Sequence, residues 1–267
     1  MMSAGYSLRS RVPGQSVMSR VIESQKLVPA RSRIARIFGF SPLSVENRAL
    51  YRAAVGESLV GEALDHLGPE WDVLHDVPID EHYEIDHLAI GPPGVFVVMT
   101  KNFPGHEIAV AKGIITVGGK EQDHVEIARA EAAGVTELLS AAAGGAVRVQ
   151  SLVVVVNPKK LVVREQPSDA WVVSSRQLVR WLAKLPRTLD GAEVAYISDV
   201  ADRESTWKAV PAPGQDTQVL HAEFAELREE IASATRARVV WATVAFLLFA
   251  GTVWTTVAIL TSDFVRP

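Results

Sequence analysis

From Val239 to Leu260 the chain runs without a single charge, dominated by Val, Ala, Leu, Phe, Ile and Trp. At 1.5 Å per residue a helix of that length reaches about 33 Å, enough to cross the hydrocarbon core of a bilayer. These residues are therefore expected to form a single transmembrane helix, 239–260, with Trp241 and Trp254 toward its two ends. Arg236 and Arg238 stand just before the span and only Arg266 follows it. That asymmetry predicts a single-pass protein of the cell membrane with its main domain on the cytoplasmic side.

The remaining residues are sufficient for one good-sized core with appendages. A formal charge of -4 argues against a protein built mainly to coat nucleic acid. The absence of cysteine excludes disulfides, thiolate zinc sites and cysteine nucleophiles, and fits a reducing compartment. No secretory signal is expected at the start. Arg9, Arg11, Arg20, Lys26, Arg31, Arg33 and Arg36 face the single acid Glu23 there. With Ser, Gly and Pro interspersed, residues 1–40 are expected to be a disordered basic arm, for solvation or for contact with anionic lipid or nucleic-acid phosphate.

A core domain is expected over 45–208. Val55, Leu59, Val60, Ala63, Leu64 and Leu67 recur at helical spacing within a helix from Ser44 to Leu67. Trp71 to Ile79 is predicted as a strand, and Glu107 to Gly118 as a hairpin turning at Lys112-Gly113. A second helix is expected from Asp123 to Ala142, stopping at Gly144-Gly145. Val147 to Val156 is a nearly continuous β-branched run, suited to a strand buried on both faces. A short strand at Trp171 to Val173 and helices within 175–182 and 190–207 follow. Helix, meander, helix, strand in that order predict a three-layer α/β domain with a mixed central sheet. Residues 209–217 are expected to be a linker. The juxtamembrane helix 218–237 carries Leu220, Phe224, Leu227 and Ile231 on one stripe, a possible homodimer contact.

The chemistry gathers between Glu84 and Gly105, EIDHLAIGPPGVFVVMTKNFPG, two strands joined by Gly-Pro-Pro-Gly. Positions two apart on a strand share a face, so residue 99 and Lys101 point the same way, and Asp86 can lie opposite them. An acid on one strand and a lysine closing the next is how metal-dependent nucleases arrange a site. Mg²⁺ takes hard oxygen ligands, usually one or two carboxylates plus waters and phosphate oxygens. Glu62 lies at the edge of the first helix's apolar stripe and could look toward the sheet. Glu81-His82 and Asp86-His87 place two imidazoles nearby, at no recognised zinc spacing. Gly118-Gly119-Lys120 lacks the full pattern of a phosphate-cradling loop.

Gly61-Glu62, Ile85-Asp86-His87, Gly94-Val95-Phe96-Val97, Lys101-Asn102 and Gly105 together resemble the nuclease-related domain (NERD) of the restriction-endonuclease-like superfamily. The resemblance covers about Val55 to Gly118 closely. It implies a nuclease-like fold, Glu62 and Asp86 as ligands of Mg²⁺, Lys101 as the catalytic lysine, and DNA or another nucleic acid as partner. Met99 departs from it, standing where the family carries Glu, and a thioether is a poor ligand for Mg²⁺. The glutamine that the family carries at the start of the next helix is not found in Asp123 to Ile127. Three readings of the site therefore stand open: a weak nuclease, a phosphate-binding module, or a degenerate, non-catalytic scaffold.

Overall fold

The structure is a computed structural model, described here over residues 7–80, 83–208 and 216–264. The expected linker 209–217 lies almost wholly outside the described residues, as do Glu81, His82 and Arg266. The chain divides into two compact units. One comprises the residues up to Arg20 with Ala49–Leu220; the other comprises Val21–Arg48 with the chain from His221 onward.

The first unit is built on a five-stranded sheet of order β1-β2-β3-β7-β9. Strands β1 (Asp72–Asp80), β2 (Tyr83–Gly91) and β3 (Gly94–Asn102) form an antiparallel meander. Strands β7 (Val149–Val156) and β9 (Ala170–Ser174) then add in parallel, so the sheet is mixed. Alternation along β3 sorts its side chains. Val95 and Val97 face Ala132, Val135 and Leu139 of α4 (His124–Ala143) and Val194, Ile197 and Val200 of α6 (Gly191–Asp202). Phe96 and Val98 face Val60 and Leu64 of α3 (Val45–Leu64) and Leu178 and Leu182 of α5 (Leu178–Leu182). Helices thus cover both faces, the three-layer α/β arrangement with a mixed central sheet expected from the sequence.

A second sheet, of order β6-β5-β4-β8, adjoins the end of β3. The expected hairpin supplies β4 (Glu107–Ala111) and β5 (Ile114–Val117), with Lys112 and Gly113 both at positive φ in its turn. The short strands β6 (Lys120–Gln122) and β8 (Lys160–Val163) were not anticipated.

The disordered basic arm is corrected over its described residues. They form a 3-10 turn at Leu8–Ser10, α1 (Gln15–Lys26) and α2 (Arg33–Ile37). Leu8 is fully buried in the α4–α6 layer. Val17, Met18, Val21 and Ile22 are buried as one helical face. The charges that suggested solvation find partners within the fold. Arg9 pairs with Asp72 at 2.7 Å and Asp202 at 2.8 Å, and Ser7 Oγ donates to Asp202. Arg11 forms a buried ion pair with Asp76, which also accepts from the Ser16 hydroxyl at 2.7 Å.

In the second unit, α7 (Thr217–Phe264) is one continuous helix through the expected juxtamembrane and transmembrane stretches. It is long and apolar enough to cross a membrane. Lys26 pairs with Glu223 at 3.1 Å and Arg31 with Glu230 at 2.7 Å. Of the stripe expected as a homodimer contact, Leu220, Phe224 and Leu227 are buried within the chain and Ile231 is half-buried.

Candidate functional site

The site lies where β2 and β3 part. The β1–β2 ladder pairs His75 with His87 and Val77 with Ile85 but omits Asp76 and Asp86 between them. Asp76 has φ +54°, a left-handed conformation that a short polar side chain tolerates. That kink breaks alternation, so Leu74 and Val77 share one core despite their odd spacing. Asp86 is freed from the ladder, and its carboxylate accepts the Thr100 backbone N–H at 2.5 Å. Beside it, His75 and His87 are buried with their Nδ1 atoms 2.9 Å apart, and burial lowers the pKa of both.

The helical acid at the site is Glu57, not Glu62. Ala54, Glu57, Val60 and Leu64 form the buried face of α3, whereas Leu59 and Glu62 are exposed. Val60, Ala63, Leu64 and Leu67 of the expected stripe pack against the sheet, while one and two turns earlier the buried positions are Glu57 and Ala54 in place of Leu59 and Val55. Gly56 makes the approach possible. A Cβ there would sit 2.9 Å from Asn102 Cβ and 3.2 Å from Thr100 Cγ2, so only glycine lets α3 lie this close to the end of β3. Asn102 closes the contact by donating Nδ2–H to the Arg52 carbonyl at 2.8 Å.

Glu57 and Asp86 both line a cavity of about 440 Å³ together with Lys101, Asn102, Phe103, His106, Gln122 and His124. Both also line a smaller cavity of about 170 Å³, with Arg20, Asp76, Tyr83 and Glu84. Glu62 lines neither. Gln122 brings a glutamine to the larger cavity from the end of β6, just ahead of the helix where one was sought. Glu84 lines the smaller cavity, whereas Glu107 is exposed and pairs with Lys159 at 3.1 Å.

Burial raises the Glu57 carboxyl well above the carboxylate range; Asp86 and Asp76 add to the shift, and Lys101 and Arg20 oppose it. Asp86 is raised by burial too, against the pull of Lys101 and the Thr100 N–H. Glu131 on α4, bonded by the Tyr83 hydroxyl, is pushed up to about 7, chiefly by burial and with Asp86 adding to the shift. His124 stacks near Phe103, with centroids 5.8 Å apart; burial and then the Lys101 charge bring it down to about 4. Sequence reasoning found neither Glu131 nor His124 as members of this neighbourhood. A carboxylate two turns into α4 and an imidazole at its first residue were the signals.

Met99 lines neither cavity. It is 2% exposed and packs with Ile108, Val110, Val153 and Val155 and with Val125 and Ala128 of α4. Among the described residues no three His, Asp or Glu side chains converge as a complete metal ligand set. The donors present still suit a hard dication, which needs only one or two carboxylates and completes its shell with water. Among the described residues the buried Glu57 carboxylate has no hydrogen bond or ion pair, and beyond its burial it is destabilised by Asp86, a repulsion that a bound cation would relieve.

Comparison with known proteins fits this geometry. An uncharacterized protein of Bacillus anthracis is 42% identical over 60 residues, which cover 21% of this chain and 28% of that protein. The chain thus spans less than a third of that relative's length. No solved structure matches. The nuclease-related domain (NERD) family matches residues 52–156, from the turn of α3 that precedes Glu57 to the end of β7. This chain carries a nuclease-related domain over those residues.

Proposed function

We propose that this is a membrane-anchored nuclease-related protein whose domain lies on the cytoplasmic side and binds DNA or another nucleic acid at the Glu57–Asp86–Lys101 cavity. There it would cleave phosphodiesters with Mg²⁺. The observation that carries the reading is the convergence of a buried carboxylate, Glu57, a half-buried one, Asp86, and one lysine on a single cavity. Glu57 and Asp86 would hold the cation. The metal would neutralise charge on the phosphate and lower the pKa of a bound water. Lys101 supplies a fixed positive charge for the oxygens of the attacked phosphate, and Asn102 holds the end of β3 against α3. Gln122 and His124 border the same space, and His124, kept neutral by its surroundings, can accept or donate a hydrogen bond to substrate or water.

Met99 favours a second reading, a non-catalytic nucleic-acid-binding scaffold at the membrane. With its side chain in the core, the strand offers no third acid next to Lys101. Plasmid cleavage by the full chain in detergent, with Mg²⁺ or Mn²⁺, separates the two. Cleavage by the wild type that Lys101→Ala abolishes supports the enzyme. Retained DNA binding without cleavage, with turnover appearing only in Met99→Glu, refutes the enzyme and leaves the scaffold.

A further inference from the structure

Residues 31–40 form a closed clamp in the second unit. Ser32 caps α2 by accepting the Ala35 N–H at 3.1 Å, and Arg31 donates to the Phe40 carbonyl at 2.7 Å, tying the two ends of the segment. Arg31 also holds Glu230 on α7. The clamp touches α7 again beside the start of the charge-free run. The Trp241 indole N–H donates to the Ile37 carbonyl at 2.8 Å, and the Phe38 and Trp241 rings lie 4.9 Å apart. Gly39, at φ +72°, lies against the helix backbone, where a Cβ would come within 2.4 Å of the Ala234 carbonyl.

That seating leaves an unusual surface. Ile34 (67% exposed), Ile37, Phe38 and Phe40 (63%) all face outward within one short segment. Arg33 and Arg36 are exposed among them, and Arg236 and Arg238 are exposed on the adjoining turn of α7. Large apolar side chains interleaved with cations, next to a tryptophan at the mouth of a membrane span, have the composition of an interfacial segment. Two features of the contact identify what covers it. It is continuous with the span through Trp241, and Arg33, Arg36 and Arg238 match anionic headgroups, Arg236 being paired with Glu229.

We infer that the α2 clamp, residues 31–40, is a second membrane contact, inserting Ile34, Ile37, Phe38 and Phe40 at the headgroup level of an anionic leaflet beside the α7 span. The inference rests on α7 spanning the bilayer. It gives the chain an interfacial foot as well as an anchor, and removes residues 31–40 from the free basic arm. Each arginine near an anionic surface favours the inserted state by about five-fold.

The chain has no cysteine, so single cysteines report single positions. Full-length protein carrying the fluorophore NBD at Ile34→Cys or Phe40→Cys would be placed in nanodiscs of phosphatidylcholine, with and without phosphatidylglycerol. Quenching by lipids spin-labelled near the headgroup is the readout. Labels at Leu248→Cys in the span and at the exposed Tyr196→Cys on α6 are the references. The expected result is strong quenching at 34 and 40, greater with phosphatidylglycerol, and weakened there by Arg33→Gln/Arg36→Gln. Position 196 stays unquenched. Quenching at 248 with none at 34 and 40 overturns the clamp while leaving the anchor intact. No quenching at 248 overturns the anchor and the clamp with it. A blue-shifted but unquenched label at 34 and 40 means that protein, not lipid, covers the patch, and also refutes the inference.

Discussion

Arg11→Ala should destabilise the first unit severely, although Arg11 lies in a stretch whose sequence suggests a solvated arm. Arg11 and Asp76 side chains are 6% and 2% exposed, so the substitution leaves a carboxylate buried with only Ser16 as a close donor. Breaking a buried pair from one side costs about 3–5 kcal/mol, against a usual total of about 5–15. For a domain of this size, about 2–4 °C per kcal/mol converts that to a fall of roughly 6–20 °C in Tm. Thermal melts of the full chain in detergent, followed by far-UV circular dichroism, read the change. Arg11→Met combined with Asp76→Asn should recover most of the loss, because Asn accepts the left-handed backbone at position 76 and still bonds Ser16. A melt for Arg11→Ala within about 3 °C of wild type, the effect of roughly 1 kcal/mol, would refute the claim that residues 7–20 belong to the folded unit.

Gly56→Ala should cost about 1–3 kcal/mol by pushing α3 off Asn102 and Thr100, measured by the same melts. Because that shift carries Glu57 with it, metal or DNA binding should fall even where the variant stays folded. Calorimetry with Mn²⁺ should lose its binding signal in Glu57→Gln and keep it in Glu62→Gln; equal effects would contradict the assignment of Glu57 to the site. His124 is depressed to about 4 when folded, below its unfolded value near 6.5, so the unfolded chain binds the proton first. Its neutral form favours folding fully above about 6.5, and the advantage is lost as pH falls toward 4. His124→Gln should therefore gain stability relative to wild type across that acid window and show no pH-dependent gain above it.

Much of the architecture was legible from the sequence, and the misses share a cause. Long periodic segments such as α4 and the β-branched run of β7 depend on local pattern and were found within a few residues. The two short strands β6 and β8 exist only by pairing with β5 and β4, so nothing local announces them. Residues 7–37 misled because charge was read as solvation; Arg9 and Arg11 meet acids more than 60 positions away. At the site, Asp86 and Lys101 were recognisable from strand logic. Glu57 was not, because a buried acid on an apolar face looks like an error in periodicity until Gly56 and Asn102 show how close the helix lies. The place of Met99 in the core follows from the alternation that also orients Val95 and Val97.

The bond from Ser7 to Asp202 spans 195 positions, so the beginning of the folded unit is fastened to its end. Contacts of such long sequence separation form late, since loop closure must be paid for before they are rewarded. The local β1–β2–β3 meander can assemble early. The bonds from Ser7 and Arg9 to Asp202, by contrast, must wait for α6 to be synthesised. During synthesis Arg9 and Arg11 therefore have Asp72 and Asp76 of β1 to pair with, and Asp202 is supplied last. Completion of the domain at Asp202 and synthesis of the apolar part of α7 thus fall close together in time.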